Sequence, residues 1–209
     1  MNSDTPIVFI VDDDYRMREA LSSLLSSAGL RVAAFGSASE FLTSEKPDSP
    51  ACLVLDLELP DINGLELQHE LAGRDAPPIV FITAYGDIPT SVCAMKAGAI
   101  EFLSKPFEEQ ALLRAIHAGI VLDRKARQKR LELTELKRHY NLLTPREQEV
   151  LPFVVAGFLN KQTAADLGTS EITIRVHRGQ IMRKMGARSL AELVRMADKL
   201  GMTPARGPA

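Results

Sequence analysis

IVFIVDDD, residues 7–14, is an apolar run of five residues followed by three acidic ones. Its near-continuous Ile, Val and Phe content is typical of a strand buried on both faces of a parallel sheet. Two further apolar runs also lead into charged residues: CLVL (52–55) is followed by Asp56, and EFL (101–103) precedes Lys105. In an open parallel α/β sheet the carboxyl ends of the strands share one edge, where such folds bind ligands. The sequence therefore predicts that these charged residues meet at that edge.

Three carboxylates at one edge repel one another unless a cation lies between them. Mg²⁺ suits such a site, because it binds one or two carboxylates together with waters and phosphate oxygens. We therefore expect Mg²⁺ as the cofactor, held by Asp12, Asp13 and Asp56, with a backbone carbonyl near Glu58 as a further ligand. A calcium loop of the EF-hand type is excluded, since residues 12–14 lack the glycine and the distal glutamate that it needs.

The same edge has the groups that phosphoryl transfer to a carboxylate requires, namely a nucleophile, a neutralising cation and donors for the phosphoryl oxygens. Asp56 is the expected phosphorylation site, because it ends its strand and its carboxylate emerges at the edge. Lys105 and the hydroxyl of Thr83 are expected to bind phosphoryl oxygens, and Ala84 leaves room for the incoming group. This pattern indicates a phosphorylatable switch.

A phosphatase of the haloacid-dehalogenase type, which also uses an aspartyl nucleophile and Mg²⁺, is the enzymatic alternative. Such enzymes place the nucleophile after the first strand in an Asp-x-Asp pattern. Here the nucleophile position falls in the third strand, with Glu58 two residues further on. We therefore favour a protein that is not an enzyme and assign no catalytic residue.

The first part of the chain alternates strands and helices. The strand candidates are residues 7–11, 32–35, 52–55, 79–82 and 101–103. Units of this kind, joined by right-handed crossovers, place helices on both faces of one parallel sheet. The sequence predicts an α/β domain over residues 1–122, built on a doubly wound five-stranded parallel sheet.

A long linker helix is predicted to follow, over residues 123–142. The helix beginning near Glu108 meets neither a proline nor a clear stop signal before Asn141. Seven residues in 4,3 spacing form a short coiled-coil seam: Leu122, Ala126, Lys129, Leu133, Leu136, Tyr140 and Leu143. The alternative is a solvated charged helix that only connects two domains.

Residues 143–209 are predicted to form an all-α domain of four helices. A capping box at Thr144, with proline at the next position, opens the first helix. Asn160 and Ser170 are the expected caps of the next two helices, which flank Gly168 at a spacing typical of a helix-turn-helix motif.

Charge divides the chain into two halves. Residues 1–122 contain 8 Lys and Arg against 18 Asp and Glu, whereas residues 123–209 contain 17 against 9. The formal charges of −10 and +8 suggest an acidic metal-binding half and a basic half that faces a polyanion. Cys52 and Cys93 have no short metal or redox spacing and are expected to be buried thiols. With no signal peptide or membrane span in view, we expect a cytoplasmic protein without a membrane partner.

Four motifs in the first domain resemble the receiver domain of response regulators, which has the CheY-like fold. They are VDDD (11–14), LDLELPDINGLEL (55–67), FITAYGD (81–87) and MKAGAIEFLSKPF (95–107). The resemblance implies that a partner histidine kinase phosphorylates Asp56. It also implies that Thr83 and Phe102 are the pair of residues that switch conformation.

The last domain resembles the LuxR-type helix-turn-helix domain through LTPREQEVL (143–151) and residues 156–189. One helix there combines an inner apolar face with an outer basic face, as a recognition helix requires. The resemblance places contacts to base edges at Arg175 and Val176, and contacts to phosphates at Lys161 and Thr173. Gly179 stands where a polar base-reading residue is common, and Arg178 or Gln180 is a candidate to replace that contact.

Together the two domains are similar to the FixJ-like branch of response-regulator transcription factors. The resemblance implies a cognate sensor kinase, promoter DNA and RNA polymerase as partners. It also implies that phosphorylation produces a homodimer through a face that includes Met95, Lys96 and Ala99. A receiver with an anti-activator or RNA-binding role is the competing class, and the DNA-reading character of the last domain argues against it.

Overall fold

A computed structural model describes residues 5–84 and 87–205 of the 209-residue chain. The contacts divide the chain into two units, Met1–Arg127 and Gln128–Ala209. One helix, Glu109–Asn141, contributes residues to both units. The domain boundaries at residues 122 and 142 remain predictions.

A five-stranded parallel sheet forms the centre of the first unit. Its strands are β1 (Ile7–Val11), β2 (Arg31–Phe35), β3 (Ala51–Asp56), β4 (Ile79–Thr83) and β5 (Glu101–Ser104). They lie in the order β2-β1-β3-β4-β5, with Phe9 of β1 level with Ala33 and Leu53 on either side. The predicted doubly wound sheet is confirmed, and β1 and β3 form the central pair at which the strand order reverses.

Helices follow each strand: α1 (Tyr15–Ser27), α2 (Ala38–Thr43), α3 (Gly64–Leu71), α4 (Ile88–Lys96) and α5 (Glu109–Asn141). Short polar side chains accept a backbone hydrogen bond at the starts of the first four, and these N-caps are Asp14, Ser37, Asn63 and Asp87. Such caps satisfy amide groups that have no partner within the helix.

The apolar runs lie between two cores, one on each face of the sheet. Along β1, Phe9 and Val11 enter the core that contains Phe41 and Leu67, because alternate side chains point to the same face. Val8 and Ile10 enter the opposite core. Burial on both faces explains why β1 reads as an uninterrupted apolar run.

Helix α5 lies close against the sheet. A Cβ atom at Gly119 would lie 2.7 Å from the sulfur of Cys52 in β3. Further along α5, the buried carboxylate of Asp123 accepts a hydrogen bond of 2.8 Å from the backbone N–H of Ala51, the first residue of β3. The first turn of the predicted linker therefore packs on the first unit.

Four helices follow α5 in the second unit: α6 (Pro145–Val155), α7 (Asn160–Asp166), α8 (Glu171–Met185) and α9 (Leu190–Lys199). They enclose a core with Val150, Ile174 and Leu193 at its centre. The predicted capping box at Thr144 is present, since Glu147 accepts from its backbone N–H and Thr144 accepts in return. Asn160 is the first residue of α7 and not its cap, which is Leu159.

The coiled-coil seam is only partly available for pairing. Leu136 and Leu143 are buried in the core of the second unit, and Tyr140 packs against that core. These last three seam positions are therefore used within the chain, and pairing of the remaining seam with a second copy stays a prediction.

Cys93, expected to be buried, and Ala99, expected on an exposed face, need correction. Cys52 is buried as predicted, but Cys93 is exposed on α4. Ala99, expected on the dimer face, is only 8% exposed and belongs to a core of the first unit. Among the residues that the structure describes, no helix is long and apolar enough to cross a membrane.

Candidate functional site

Three carboxylates converge at the carboxyl edge of the sheet, as predicted. Asp12 follows β1, Asp56 is the last residue of β3, and these two strands are neighbours. One oxygen from each of Asp12, Asp13 and Asp56 lies within 4.8 Å of the others. Asp12 is fully buried and Asp56 is 7% exposed, whereas Asp13 faces solvent. The cluster thus has a buried side and an open side.

Lys105 joins the two buried carboxylates. Its Nζ atom lies 2.8 Å from Oδ2 of Asp12 and 2.6 Å from Oδ2 of Asp56. Burial alone lowers the pKa of Lys105, but the hydrogen bonds to these two carboxylates outweigh burial and raise that pKa above its ordinary value. Lys105 is therefore a fixed positive charge beside Asp56.

Burial has the opposite consequence for Asp12. Desolvation raises the pKa of its carboxyl, although the hydrogen bond and the charge of Lys105 act against this rise. A buried carboxylate of this kind gains from a further positive charge. The donor set, carboxylate oxygens with one side open to water, fits Mg²⁺, which keeps several waters when it binds.

Backbone contacts hold the acidic turn in place. The N–H of Asp14 donates to Oδ1 of Asp12 at 2.8 Å. The guanidinium of Arg18 donates to the carbonyls of Asp12 and Asp13, at 2.7 and 2.9 Å. The only sign of this role in the sequence is that Arg18 is a basic residue one helical turn after Asp14.

The loop after β3 approaches Asp56 closely. The N–H of Glu58 lies 3.3 Å from Oδ1 of Asp56, while the Glu58 side chain is exposed. Glu58 is not among the clustered carboxylates, so only its backbone carbonyl is left as the predicted metal ligand. Gly64 begins α3 so near this loop that a Cβ atom would lie 2.4 Å from the carbonyl oxygen of Asp56.

The proposed switch residues lie on β4 and β5, the strands that follow β3 in the sheet. Thr83 is fully buried, and its carbonyl accepts a hydrogen bond of 2.7 Å from the N–H of Lys105. Phe102 is half-buried, with its ring centroid 6.1 Å from that of Phe81. Ala84 is exposed, and the next two residues of the FITAYGD motif, 85 and 86, lie outside the described residues.

The helix-turn-helix of the second unit consists of α7 and α8. Lys161 is exposed in the first turn of α7. On α8, Val176 is 57% exposed and the Arg175 side chain is 72% exposed, with its guanidinium 3.8 Å from the carboxylate of Glu171. Thr173 donates its N–H to the hydroxyl oxygen of Ser170, the N-cap of α8. Of the outer face predicted for this helix, Arg175, Val176 and Gly179 are exposed, whereas Arg178 is half-buried.

Two arginines brace both ends of α7. Arg146 donates to the carbonyl of Leu167, the C-cap of α7, at 2.6 Å. Arg178 donates to the carbonyl of Phe158, just before α7, at 3.0 Å. Part of the Arg178 guanidinium is therefore used inside the domain, and its contact with DNA remains a prediction.

A buried ion pair connects α6 with α8. Nζ of Lys184 lies 2.6 Å from Oε2 of Glu147, whose side chain is 5% exposed. Burial alone raises the pKa of Glu147, but hydrogen bonds from Lys184 and from Thr144 outweigh it and lower that pKa. Within the LTPREQEVL motif, Arg146 thus holds the end of α7 and Glu147 holds α8.

Comparison with protein families matches both units. Residues 8–117 match the family model of the response regulator receiver domain, and residues 141–197 match that of bacterial regulatory proteins of the LuxR family. The chain belongs to the response regulators. Its two matched domains are those of a phosphorylated transcription regulator, and neither supports the phosphatase alternative.

This response regulator is 51% identical over 202 residues to nodulation protein W of Bradyrhizobium diazoefficiens, covering 96% of this chain and 89% of that protein. It is 44% identical over 201 residues to the transcriptional regulatory protein FixJ of Azorhizobium caulinodans, covering 95% and 94%. Among solved structures, the response regulator StyR is similar with a TM-score of 0.83 and 52% identity, covering 93% and 99%.

These matches confirm the assignment to the FixJ-like branch and the combination of a CheY-like receiver with a LuxR-type domain. A response regulator with these domains implies a kinase and DNA as partners. Receiver domains of this kind normally bind Mg²⁺ at an acidic site, and this receiver has the aspartate cluster for it.

Proposed function

We propose that Asp56 accepts a phosphoryl group from the partner histidine kinase in a reaction that requires Mg²⁺. The observation that carries this proposal is that Asp56 contacts Lys105, 2.6 Å away, and clusters with the carboxylates of Asp12 and Asp13. Among these three aspartates, Asp56 alone ends a central strand.

In the proposed reaction an oxygen of Asp56 forms a bond to phosphorus, while the bond between phosphorus and the kinase imidazole nitrogen breaks. The electron pair of the broken bond returns to the imidazole. Asp12, Asp13, Asp56 and a carbonyl near Glu58 would hold Mg²⁺, which would supply positive charge to the phosphoryl oxygens. Lys105 exchanges its carboxylate contacts for a phosphoryl oxygen.

Thr83 and Phe102 then change conformation in response to phosphorylation. The Thr83 hydroxyl turns towards the phosphoryl group, for which Ala84 leaves space. The half-buried ring of Phe102 follows into the volume that this movement opens. Phosphorylation thus stabilises one of two receiver conformations, which is a shift in population.

The output of this shift is dimerisation and promoter recognition. Helix α4 carries three exposed apolar side chains, Ile88, Val92 and Met95, which form the proposed dimer face. In the second unit, Arg175 and Val176 contact base edges, while Lys161, Thr173 and Arg178 contact phosphates or neighbouring bases. RNA polymerase is the proposed final partner.

The phosphorylation site is tested with full-length Asp56→Asn in acetyl phosphate and Mg²⁺, followed by phosphate-affinity electrophoresis. The slow-migrating phosphorylated band is expected to disappear. Asp13→Ala is expected to lose most of it, because the ion loses a ligand. Asp14→Asn is the matched control, since asparagine also caps α1 and Asp14 lies outside the cluster. A band of normal intensity in Asp56→Asn would refute the assignment.

A further inference from the structure

Helix α8, the proposed recognition helix, exposes one apolar side chain, Ile172, for which the family resemblance implies no role. Ile172 is 72% exposed, more than Val176 on the same helix at 57%. Residues four apart lie on the same face of a helix, so Ile172 and Val176 form a continuous apolar strip. The opposite face of α8 has Ile174, Ile181 and Met185 in the core. The core thus uses a different set of residues from those in the strip.

The surroundings of the strip indicate what covers it. Ile172 lies in the first turn of α8, the part of a recognition helix that contacts base edges in the major groove. The exposed guanidinium of Arg175 lies between the two apolar residues in sequence, and residues 123–209 have a formal charge of +8. A basic apolar surface of this kind is complementary to DNA. The apolar feature of the major groove is the 5-methyl group of thymine.

Gly179 continues the same face towards the end of the helix. It has ordinary helical backbone inside α8, and a Cβ atom there would meet nothing within 4 Å. The fold therefore does not require glycine at this position, although glycine weakens a helix relative to alanine. Because glycine has no side chain, it allows the backbone of another molecule to approach the helix closely.

We propose that Ile172 is a further specificity-determining residue, which packs against the 5-methyl group of a thymine one helical turn before the contact of Val176. The bare surface at Gly179 lets α8 lie deep enough in the groove for this contact. This inference rests on the proposed DNA reading and adds to it a base identity and a contact type.

The test uses DNA duplexes selected from a randomised pool by the full-length protein treated with beryllofluoride. Each thymine of the selected site is replaced in turn by uracil, which removes only the 5-methyl group. Burial of one methyl group is worth about a fourfold change in affinity, and we expect roughly that loss at one thymine for the unaltered protein. Ile172→Ala is expected to bind more weakly and to show no further loss at that thymine.

Val194→Ala is the matched control, because Val194 is exposed on α9 at 39% and lies outside the strip. It is expected to keep the full response to every uracil. Because a methyl contact involves no phosphate, Ile172→Ala is expected to leave the salt dependence of binding unchanged. Gly179→Ala is expected to raise the thermal midpoint and yet weaken binding to the selected duplexes.

The possible failures are distinguishable. If the uracil response of Ile172→Ala equals that of the unaltered protein at every position, the methyl contact is refuted while DNA reading stands. Normal DNA binding by Ile172→Ala with reduced binding to RNA polymerase would instead assign the strip to the polymerase and overturn the inference. If the pool yields no preferred sequence, DNA reading itself is wrong and the inference falls with it.

Discussion

Gly64 is the residue that lets α3 begin directly beside the backbone of Asp56. A Cβ atom would lie 2.4 Å from the Asp56 carbonyl oxygen and 3.0 Å from the Cα of Leu57, both of which are backbone atoms that cannot rotate away. Gly64→Ala is therefore expected to lower the free energy of unfolding by about 1–3 kcal/mol, as overpacking does. Urea denaturation of the full-length protein measures this loss.

Gly179→Ala is the natural control for Gly64→Ala, because its Cβ meets only open space. We expect no loss of stability from it. Because Gly64 contacts the loop that presents Asp56, Gly64→Ala is also expected to slow phosphorylation by acetyl phosphate. Unchanged stability and unchanged phosphorylation in Gly64→Ala would show that the loop adapts to the extra atom.

Arg175 and Lys161 are exposed basic residues for which we predict different functions. The planar guanidinium of Arg175 suits guanine O6 and N7, so Arg175→Ala should cost about 1–3 kcal/mol and relax preference at one base position. Lys161→Ala should weaken binding to all sequences alike and reduce the salt slope by about 1. Fluorescence anisotropy over a panel of single-base variants separates the two. If Arg175→Ala weakened binding to every DNA variant equally, Arg175 would contact a phosphate and not a base.

At the scale of elements, the packing of α5 on β3 depends on a glycine facing a cysteine. Gly119→Ala would place its methyl group 2.7 Å from the sulfur of Cys52. We expect a loss of about 1–3 kcal/mol in the free energy of unfolding. Removing the sulfur relieves this clash, so Cys52→Ala combined with Gly119→Ala should be more stable than additivity of the single changes allows. If the losses in the free energy of unfolding, measured by urea denaturation, were strictly additive, a direct contact between residue 119 and the Cys52 sulfur would be contradicted.

A second link between elements is sensitive to pH. The carboxylate of Asp61, in the loop before α3, accepts hydrogen bonds from the N–H groups of Ala38 and Ser39 and from the Ser39 hydroxyl. Burial alone raises the pKa of Asp61, but these hydrogen bonds outweigh it and lower that pKa to about 2. The loop thereby holds the start of α2.

Because the folded pKa of Asp61 lies below the unfolded value of 3.8, its stabilisation is complete above that value. It is lost as the pH falls from about 3.8 towards 2. Asp61→Asn should therefore be less stable than the unaltered protein near neutral pH, and the difference should narrow below about pH 4. Urea midpoints measured between pH 6 and 3 test this. A constant difference over that range would exclude the charged hydrogen bonds as its source.

The elements themselves follow from local sequence signals to different degrees. β1, β3 and β4 could be predicted because each is an apolar run buried on both faces, whereas β2 and β5 are only partly buried and give a weaker signal. Several helix starts could be predicted from the Ser or Thr caps that precede them. The cap of α7 was misassigned, since Asn160 and Leu159 differ by one position and the Gln162 side chain accepts from the N–H of Leu159. Leu136, Tyr140 and Leu143 of the seam pack within their own domain, and apolar spacing alone does not reveal whether a helix packs on its own domain or on a second copy.

At the scale of the whole molecule, phosphorylation is predicted to change the oligomeric state. Beryllofluoride should shift the protein from monomer to dimer in sedimentation velocity. Met95→Asp should prevent this shift, because Met95 is 43% exposed among the apolar residues of α4 and a charge there opposes burial. Val194→Asp, on α9, is the control and should dimerise normally. Identical mass with and without beryllofluoride would refute a phosphorylation-dependent dimer.

Some residues of the candidate sites could be predicted from the sequence, and others could not. Asp12, Asp56 and Lys105 could be placed together because parallel strands bring their carboxyl ends to one edge. Arg18 and Asp61 support the same edge through backbone contacts, and such contacts leave no periodic signal. The role of Arg178 could not be predicted either. A helical wheel places Arg178 on the exposed face, but its guanidinium donates to the backbone carbonyl of Phe158.

The contact between Cys52 and α5 has a practical consequence for studying this regulator. Burial raises the pKa of the Cys52 thiol to about 12, so it is protonated and inaccessible at neutral pH. Cys93, the other cysteine of the chain, is exposed on α4, beside the apolar residues of the proposed dimer face. A maleimide dye will therefore attach at a single position without any substitution. We expect fluorescence from that position to report on the proposed dimerisation in the native sequence.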